Sequence, residues 1–326
     1  MATTGTQAPS PQATLAWERG RRPLAGWSAI AAAALTLGGN VVISLGLRDL
    51  PKAEDRIVPV TDALRTVVDG RAVPPGRLSA QAQYLGEHVA GPIAGAVLVA
   101  LGTLLLFLPL AYVFRAVRAR RPNVGQWLLV LLAIGAVLYG VGNLLVNVAR
   151  DLGAQDFASA RDLSNSAAAD ALTRSPYVAG QILAQAGALA LGFAIVITAL
   201  NAMRAGLLTR FMGILGIIVG ATVVLPLDQL GIIRSFWLAA LGALILGRWP
   251  AGVPAAWTTG EAVAWPTQQQ VREQRERRRR EAAGGQAPAP RGDTRHADAA
   301  PSTPRPEPRT AEPHSSSKKK RRKRRS

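Results

Sequence analysis

Long uncharged runs alternate with short charged segments along this chain, and that spacing, rather than any helical or strand periodicity, sets the first expectation. The run 24–47, bounded by Arg22 and Arg48, holds 24 residues. At about 1.5 Å per residue it exceeds the roughly 30 Å hydrocarbon core of a bilayer. Further runs at 89–114, 126–149, 177–203 (uncharged from Ser175) and 211–227 predict four more crossings. A sixth, 230–247, reaches spanning length only by including Arg234, whose long stem can carry its charge to the headgroups. Irregular backbone facing lipid would leave its amides unpaired, so the predicted fold is all-α: a polytopic transmembrane helical bundle of six spans. The first run is too long for a secretory signal, whose apolar region is about 7 to 15 residues.

The segments between and within the runs carry finer cues. Gly91 and Gly95, and Gly216 and Gly220, stand one turn apart and would let a neighbouring backbone approach. Gly38-Gly39-Asn40 is expected to interrupt the first helix, and Pro92, Pro109 and Pro226 to kink the second and fifth. In the longest loop, Thr61 to Asp69 reads as a short amphipathic helix closed by Gly70. Ser79 then reads as the cap of a helix running on into the second span. At 41 residues, Arg48 to His88 forms a lid rather than a domain.

Charge adds direction to this picture. Arg115, Arg118, Arg120 and Arg121 share a loop with no acid, and Arg204 and Arg210 bracket another. The alternate loops are balanced, with six bases against six acids from Arg48 to His88, and three against four from Arg150 to Arg174. The arginine bias predicts that the acid-free loops, and with them both termini, face the cytoplasm of a cell-membrane protein. Trp27, Tyr112, Trp127 and Trp249 would then mark one headgroup level and Tyr177 the other. The domain plan is a cytoplasmic N-terminal segment 1–22, a transmembrane domain 23–247, and a juxtamembrane segment and disordered tail 248–326.

The tail is a different polymer from the bundle. Of the net charge of +18, +7 lies in residues 1–247 and +11 in the much shorter 248–326. Trp249, Trp257 and Trp265, separated by prolines, suggest a stretch lying along the headgroups, followed by a polar helix over 267–283 with Glu273–Arg277 and Glu276–Arg280 pairs. Residues 284–317 cannot bury enough apolar surface to fold. The chain closes on Lys318, Lys319, Lys320, Arg321, Arg322, Lys323, Arg324 and Arg325. The partner that suits this octet is the bilayer itself, each cation being drawn to anionic lipid headgroups by about 1 kcal/mol, non-additively. An acidic protein is a second partner of suitable charge; nucleic acid is disfavoured, because no aromatics are interleaved for base stacking.

Polar groups inside the runs gather toward the predicted outer side. Asn40, His88, Asn143, Asn147, Gln181, Gln185, Asp228 and Arg234 form the candidate outer pocket, the i,i+4 pairs Asn143/Asn147 and Gln181/Gln185 each giving their helix one polar stripe. They serve either as glue between helices or as the lining of a water-accessible cavity. The inner half is apolar. With no cysteine and three scattered histidines, cysteine and histidine metal sites are excluded. No nucleophile elbow, paired acid and base, or phosphate-binding loop is present, so neither an enzyme nor a cofactor is expected.

The stretch Arg204-Ala-Gly-Leu-Leu-Thr-Arg210-Phe-Met-Gly213-Ile-Leu-Gly216, an arginine-bounded turn leading into a glycine-striped helix, resembles the uncharacterised six- or seven-helix bacterial integral-membrane proteins. That resemblance implies a helical membrane bundle and no particular activity. The expectation is therefore a non-enzymatic multi-pass protein that senses, scaffolds or binds partners at the membrane, with a small-solute transporter or channel as the alternative.

Overall fold

The computed structural model describes residues 10–51, 64–65, 68–70, 76–250, 252–263, 272–273, 275–279 and 281. The described chain is all-helical. Its elements are α1 (Pro11–Gly46), α2 (Arg77–Glu87), α3 (Ala90–Leu105), α4 (Phe107–Arg120) and α5 (Trp127–Ala158), followed by α6 (Asn165–Leu172), α7 (Ser175–Arg204), α8 (Arg210–Val224), α9 (Ile232–Ile245) and α10 (Ala256–Thr259). Among the described residues four helices are long and apolar enough to cross a membrane: α1, the Ala90–Arg120 helix formed by α3 and α4, α5 and α7. The other two apolar helices, α8 and α9, have 15 and 14 residues, shorter than the runs 211–227 and 230–247 suggested. Pro226 ends the first of them and Gly231, at φ +67°, starts the second, so the intervening apolar residues are spent on a turn.

The bundle turns the usual soluble pattern outward. Long apolar side chains such as Leu24, Ile182, Phe193, Phe211, Ile214 and Phe236 are more than half exposed, while alanines and glycines occupy many of the helix contacts. In water such a surface would aggregate; against lipid tails it costs nothing, and close packing of small residues supplies the cohesion. The most extensive pairing joins α5 to α7, with α1 against α3 and α9, and α8 against α7. Along the α5–α7 seam a Cβ at Gly142 would lie 2.3 Å from the backbone nitrogen of Ala184, and one at Gly187 2.1 Å from that of Tyr139. Both expected glycine pairs lie near helix contacts: Gly95 against Gly39 and Ile43, Gly91 near Gly46, Gly216 against Ala199, and Gly220 against Gly192.

Several sequence expectations are corrected. The first helix begins at Pro11, capped by the Ser10 hydroxyl on the Ala13 N–H at 3.3 Å, so most of segment 1–22 is an extension of the span and not a separate piece. It runs through Gly38-Gly39 unbroken, because glycine keeps its N–H and Gly39 gains a contact with α3 that a side chain would forbid. Ser79 does not cap α2. Gly76 precedes that helix, and Ser79 is buried with its hydroxyl donating to the Leu163 carbonyl at 2.7 Å. Nor does α2 run on into the span, since the backbone departs from helix at His88. The second span does break, at Leu106, where Pro109 cannot donate to the carbonyl four residues earlier. Pro92 sits harmlessly in the first turn of α3.

The third span continues nine residues past 149 to Ala158, carrying Arg150 and the fully buried Asp151, paired at 3.0 Å, into what read as loop. Small residues make this possible: Gly153 meets the Ala171 carbonyl of α6, and Gly86 of α2 meets that of Ala154. Ala82, Phe157, Ala168 and Ala171 form a separate small core there. The compact unit also extends beyond residue 247, to Pro266. Of the 61–69 helix only Leu64, Arg65, Val68 and Asp69 are described, and Gly70 closes it at φ +66°. In the second unit, residues 272–273, 275–279 and 281 are helical and exposed; Arg280 and the octet 318–325 lie outside the described residues.

Candidate functional site

Two polar clusters mark opposite ends of the bundle. The first gathers around the turn between α8 and α9. Asn40 of α1 donates its Nδ2 to the Leu230 carbonyl at 2.9 Å, and the backbone N–H of Arg234 donates to Asp228 Oδ2 at 3.0 Å. Gly231 is needed between them twice over. Its φ is left-handed, and a Cβ there would stand 2.9 Å from Asn40 Nδ2 and 3.4 Å from Arg234 Nη2. Arg234 is 8% exposed, its guanidinium lies 5.9 Å from the centre of the Tyr139 ring, and its Nε is buried without a hydrogen-bond partner.

The remaining outer-pocket candidates distribute differently. Asn143 donates to the Tyr139 carbonyl at 2.8 Å, one turn back on α5, and so adjoins the Arg234 cluster through Tyr139. Asn147 donates to the Asn143 carbonyl at 2.8 Å and accepts from Arg150 at 3.4 Å. Gln181 donates to the Tyr177 hydroxyl at 3.0 Å, and Gln185 is exposed. The hydrogen bonds that these α5 and α7 amides make are thus within their own helices, and glycines, not amides, bring α5 and α7 together. His88 is held at the α2–α3 break, with Nδ1 2.9 Å from the Tyr84 carbonyl and its ring stacked on Tyr84 at 4.3 Å.

The second cluster, at the end where α1 begins and α4 ends, was not foreseen. Arg120 and Glu18 form a two-pronged ion pair, Nη2 reaching Oε2 at 3.1 Å and Nη1 bonding Oε1, with side-chain exposures of 0% and 4%. The guanidinium also donates to the carbonyls of Ala116 at 3.1 Å and Ala256 at 2.6 Å, and lies 5.6 Å from the centre of the Trp257 ring. Tyr112 stacks between Trp17 and Trp257, at 5.5 and 5.6 Å, and its hydroxyl donates to the Glu18 carbonyl. Trp257 donates to the Leu207 carbonyl at 2.8 Å. One signal was available: Glu18 is the only acid among the first 48 residues, set between Trp17 and three arginines.

This cluster corrects one reading. Trp257 is folded under Arg120 instead of lying on a membrane surface, and Tyr112 is buried between Trp17 and Trp257. The cause is electrostatic: a buried guanidinium requires several acceptors, and the Ala256 carbonyl on the returning chain is one of them. Arg22 likewise donates to the Ile245 carbonyl at the C-terminal end of α9. Chemically the cluster is a clamp, its carboxylate fully engaged by Arg120. Two cavities flank Tyr112, one of about 220 Å³ beside Trp17, Arg21 and Arg115, the other of about 340 Å³ beside Glu18, Arg19, Arg22 and Trp257. A third, of about 480 Å³, is an apolar groove among α5, α7 and α8. Among the described residues no group of three His, Asp or Glu side chains is placed to hold a metal ion.

Comparison with protein-family models, curated proteins and solved structures finds no match.

Proposed function

We propose that this chain is a non-enzymatic multi-pass protein of the cell membrane, crossing six times with both termini in the cytoplasm, that presents its basic tail to anionic lipid as a scaffold for partners. The observation that carries this reading is the dry plug at the Arg120 end: Leu128, Leu132, Leu191, Ile195, Leu207, Leu238 and Leu241, each no more than 1% exposed, belong to one apolar cluster. A permeation path needs continuous polar lining, and this run of apolar side chains supplies none; the charged cavities beside Tyr112 lie among α1, α4 and α10. The clamp suits an anchor as well, because Arg120 and the Val263 N–H, which donates to the Ala205 carbonyl at 3.2 Å, fasten the returning chain to the bundle just before the tail.

The test uses the full chain in nanodiscs, with a fluorophore on a Ser316→Cys variant reporting distance to the bilayer. With phosphatidylglycerol present the tail should lie close at 0.1 M salt and withdraw at 1 M, as the Debye length falls from about 10 to about 3 Å. Equal proximity in pure phosphatidylcholine removes the electrostatic basis of the reading.

One observation favours the alternative of a small-solute transporter. An ionisable group buried in a membrane bundle marks a functional position by default, and Arg234, unlike Arg120, forms no ion pair among the described residues. On that reading the Arg234 end opens outward and receives an anion.

A further inference from the structure

We infer that the cleft between α1 and α4 is a binding site for the headgroup of an anionic phospholipid, separate from any contact made by the tail; the inference rests on the bundle being embedded in a membrane. The cavity of about 220 Å³ is lined by Arg21 and Arg115, by Trp17 and Tyr112, and by Leu24 and Leu108. No acid is among the described residues that line it. The nearest one in sequence, Glu18, is already neutralised by Arg120. Two exposed guanidiniums therefore face one concavity with their charge uncompensated by its walls.

The walls choose between a free anion and a lipid. Leu24 is 62% exposed and Leu108 38%, so the apolar side of the cleft continues onto the surface where acyl chains lie. The arginines sit where the charged stretches 19–22 and 115–121 mark the headgroup level. The cleft thus spans the boundary that a phospholipid spans, with phosphate at the guanidiniums and a chain along the leucines. Basic pockets between helices at this depth have that chemistry, and guanidinium matches phosphate with paired donors. The geometry has a local origin: Phe107 and Leu108, which both line the cleft, follow directly on the break at Leu106.

The experiment is native mass spectrometry of the full chain in detergent, in a background where residues 318–325 are all Gln so that the tail contributes nothing. Phosphatidylglycerol should be retained over phosphatidylcholine of the same acyl chains. The pair Arg21→Gln and Arg115→Gln should weaken phosphatidylglycerol binding about thirtyfold, roughly 2 kcal/mol. Arg21→Lys with Arg115→Lys should keep the preference for the anionic lipid, which separates lost charge from lost fold. Undiminished binding by the Gln pair, or equal retention of the two lipids, overturns the site. Displacement of the lipid by inorganic phosphate at equal concentration overturns the lipid assignment in favour of a small-anion site. Extraction of the unmodified chain from membranes by alkaline carbonate without detergent would instead sink the membrane reading.

Discussion

Arg120 and Glu18 show how a single pair sets the stability of one end of the bundle. Both side chains are withdrawn from solvent, and the guanidinium has two carboxylate oxygens and two carbonyls as acceptors. Removing one member leaves the other's buried charge without its counter-ion, which typically costs about 3–5 kcal/mol, while replacing both with apolar residues is often neutral. Glu18→Gln should accordingly lower the unfolding midpoint of the full chain in detergent sharply, and Glu18→Leu combined with Arg120→Met should recover most of the loss. A Glu18→Gln protein that melts with the unmodified chain would show that the pair is not a clamp. Sequence could name Glu18 as an isolated acid but not its partner, since 102 residues separate the two and seven bases in 1–22 and 115–121 compete for it.

Helices α5 and α7 meet through glycine rather than through their amides, and this decides which substitutions the pair tolerates. A Cβ at Gly187 would fall 2.1 Å from the Tyr139 nitrogen and one at Gly142 2.3 Å from the Ala184 nitrogen, whereas a Cβ at Gly38 meets nothing within 4 Å. The blocking atoms are backbone, which cannot swing aside as a side chain does. Gly187→Ala and Gly142→Ala should each reduce the yield of monodisperse protein, read by gel filtration in detergent. Gly38→Ala should elute unchanged or gain stability, by up to about 1 kcal/mol of helix propensity. Elution of Gly187→Ala as wild type would mean the seam is looser than its backbone spacing. The i,i+4 amides were legible in the sequence as stripes, but their partners were not. An amide that bonds one turn back on its own helix looks, in sequence, the same as one that bonds across.

At the scale of the molecule, sidedness follows from the proposed cytoplasmic position of the arginine-rich loops. Cysteines placed singly in this cysteine-free chain at Asn123, Ser164 and Ser316 should report it with an impermeant thiol reagent on intact cells. Only Ser164→Cys should react; labelling at Asn123 or Ser316 reverses or breaks the six-crossing topology. Asn143→Cys, adjoining the Arg234 cluster through Tyr139, discriminates the scaffold from the transporter on the same cells. Protection from a small hydrophilic reagent supports the scaffold, and reactivity from both sides supports transport.

The sequence by itself determined the material of this protein: uncharged stretches longer than a bilayer is thick must be helices, because only a helix pairs its own amides in lipid, and charge composition sets apart the basic C-terminal stretch. It located α7 to within two residues at each end, since Pro176 and Arg204 mark those ends locally. Tertiary structure decided everything that depends on a neighbour. Whether Gly39 breaks α1 or seats it against Gly95, whether α5 stops at 149 or continues under α2 and α6, and whether Trp257 lies on a surface or beneath Arg120 are each settled by a contact remote in sequence. Local propensity differs among such alternatives by about 1 kcal/mol, and a backbone approach or a buried charge outweighs it.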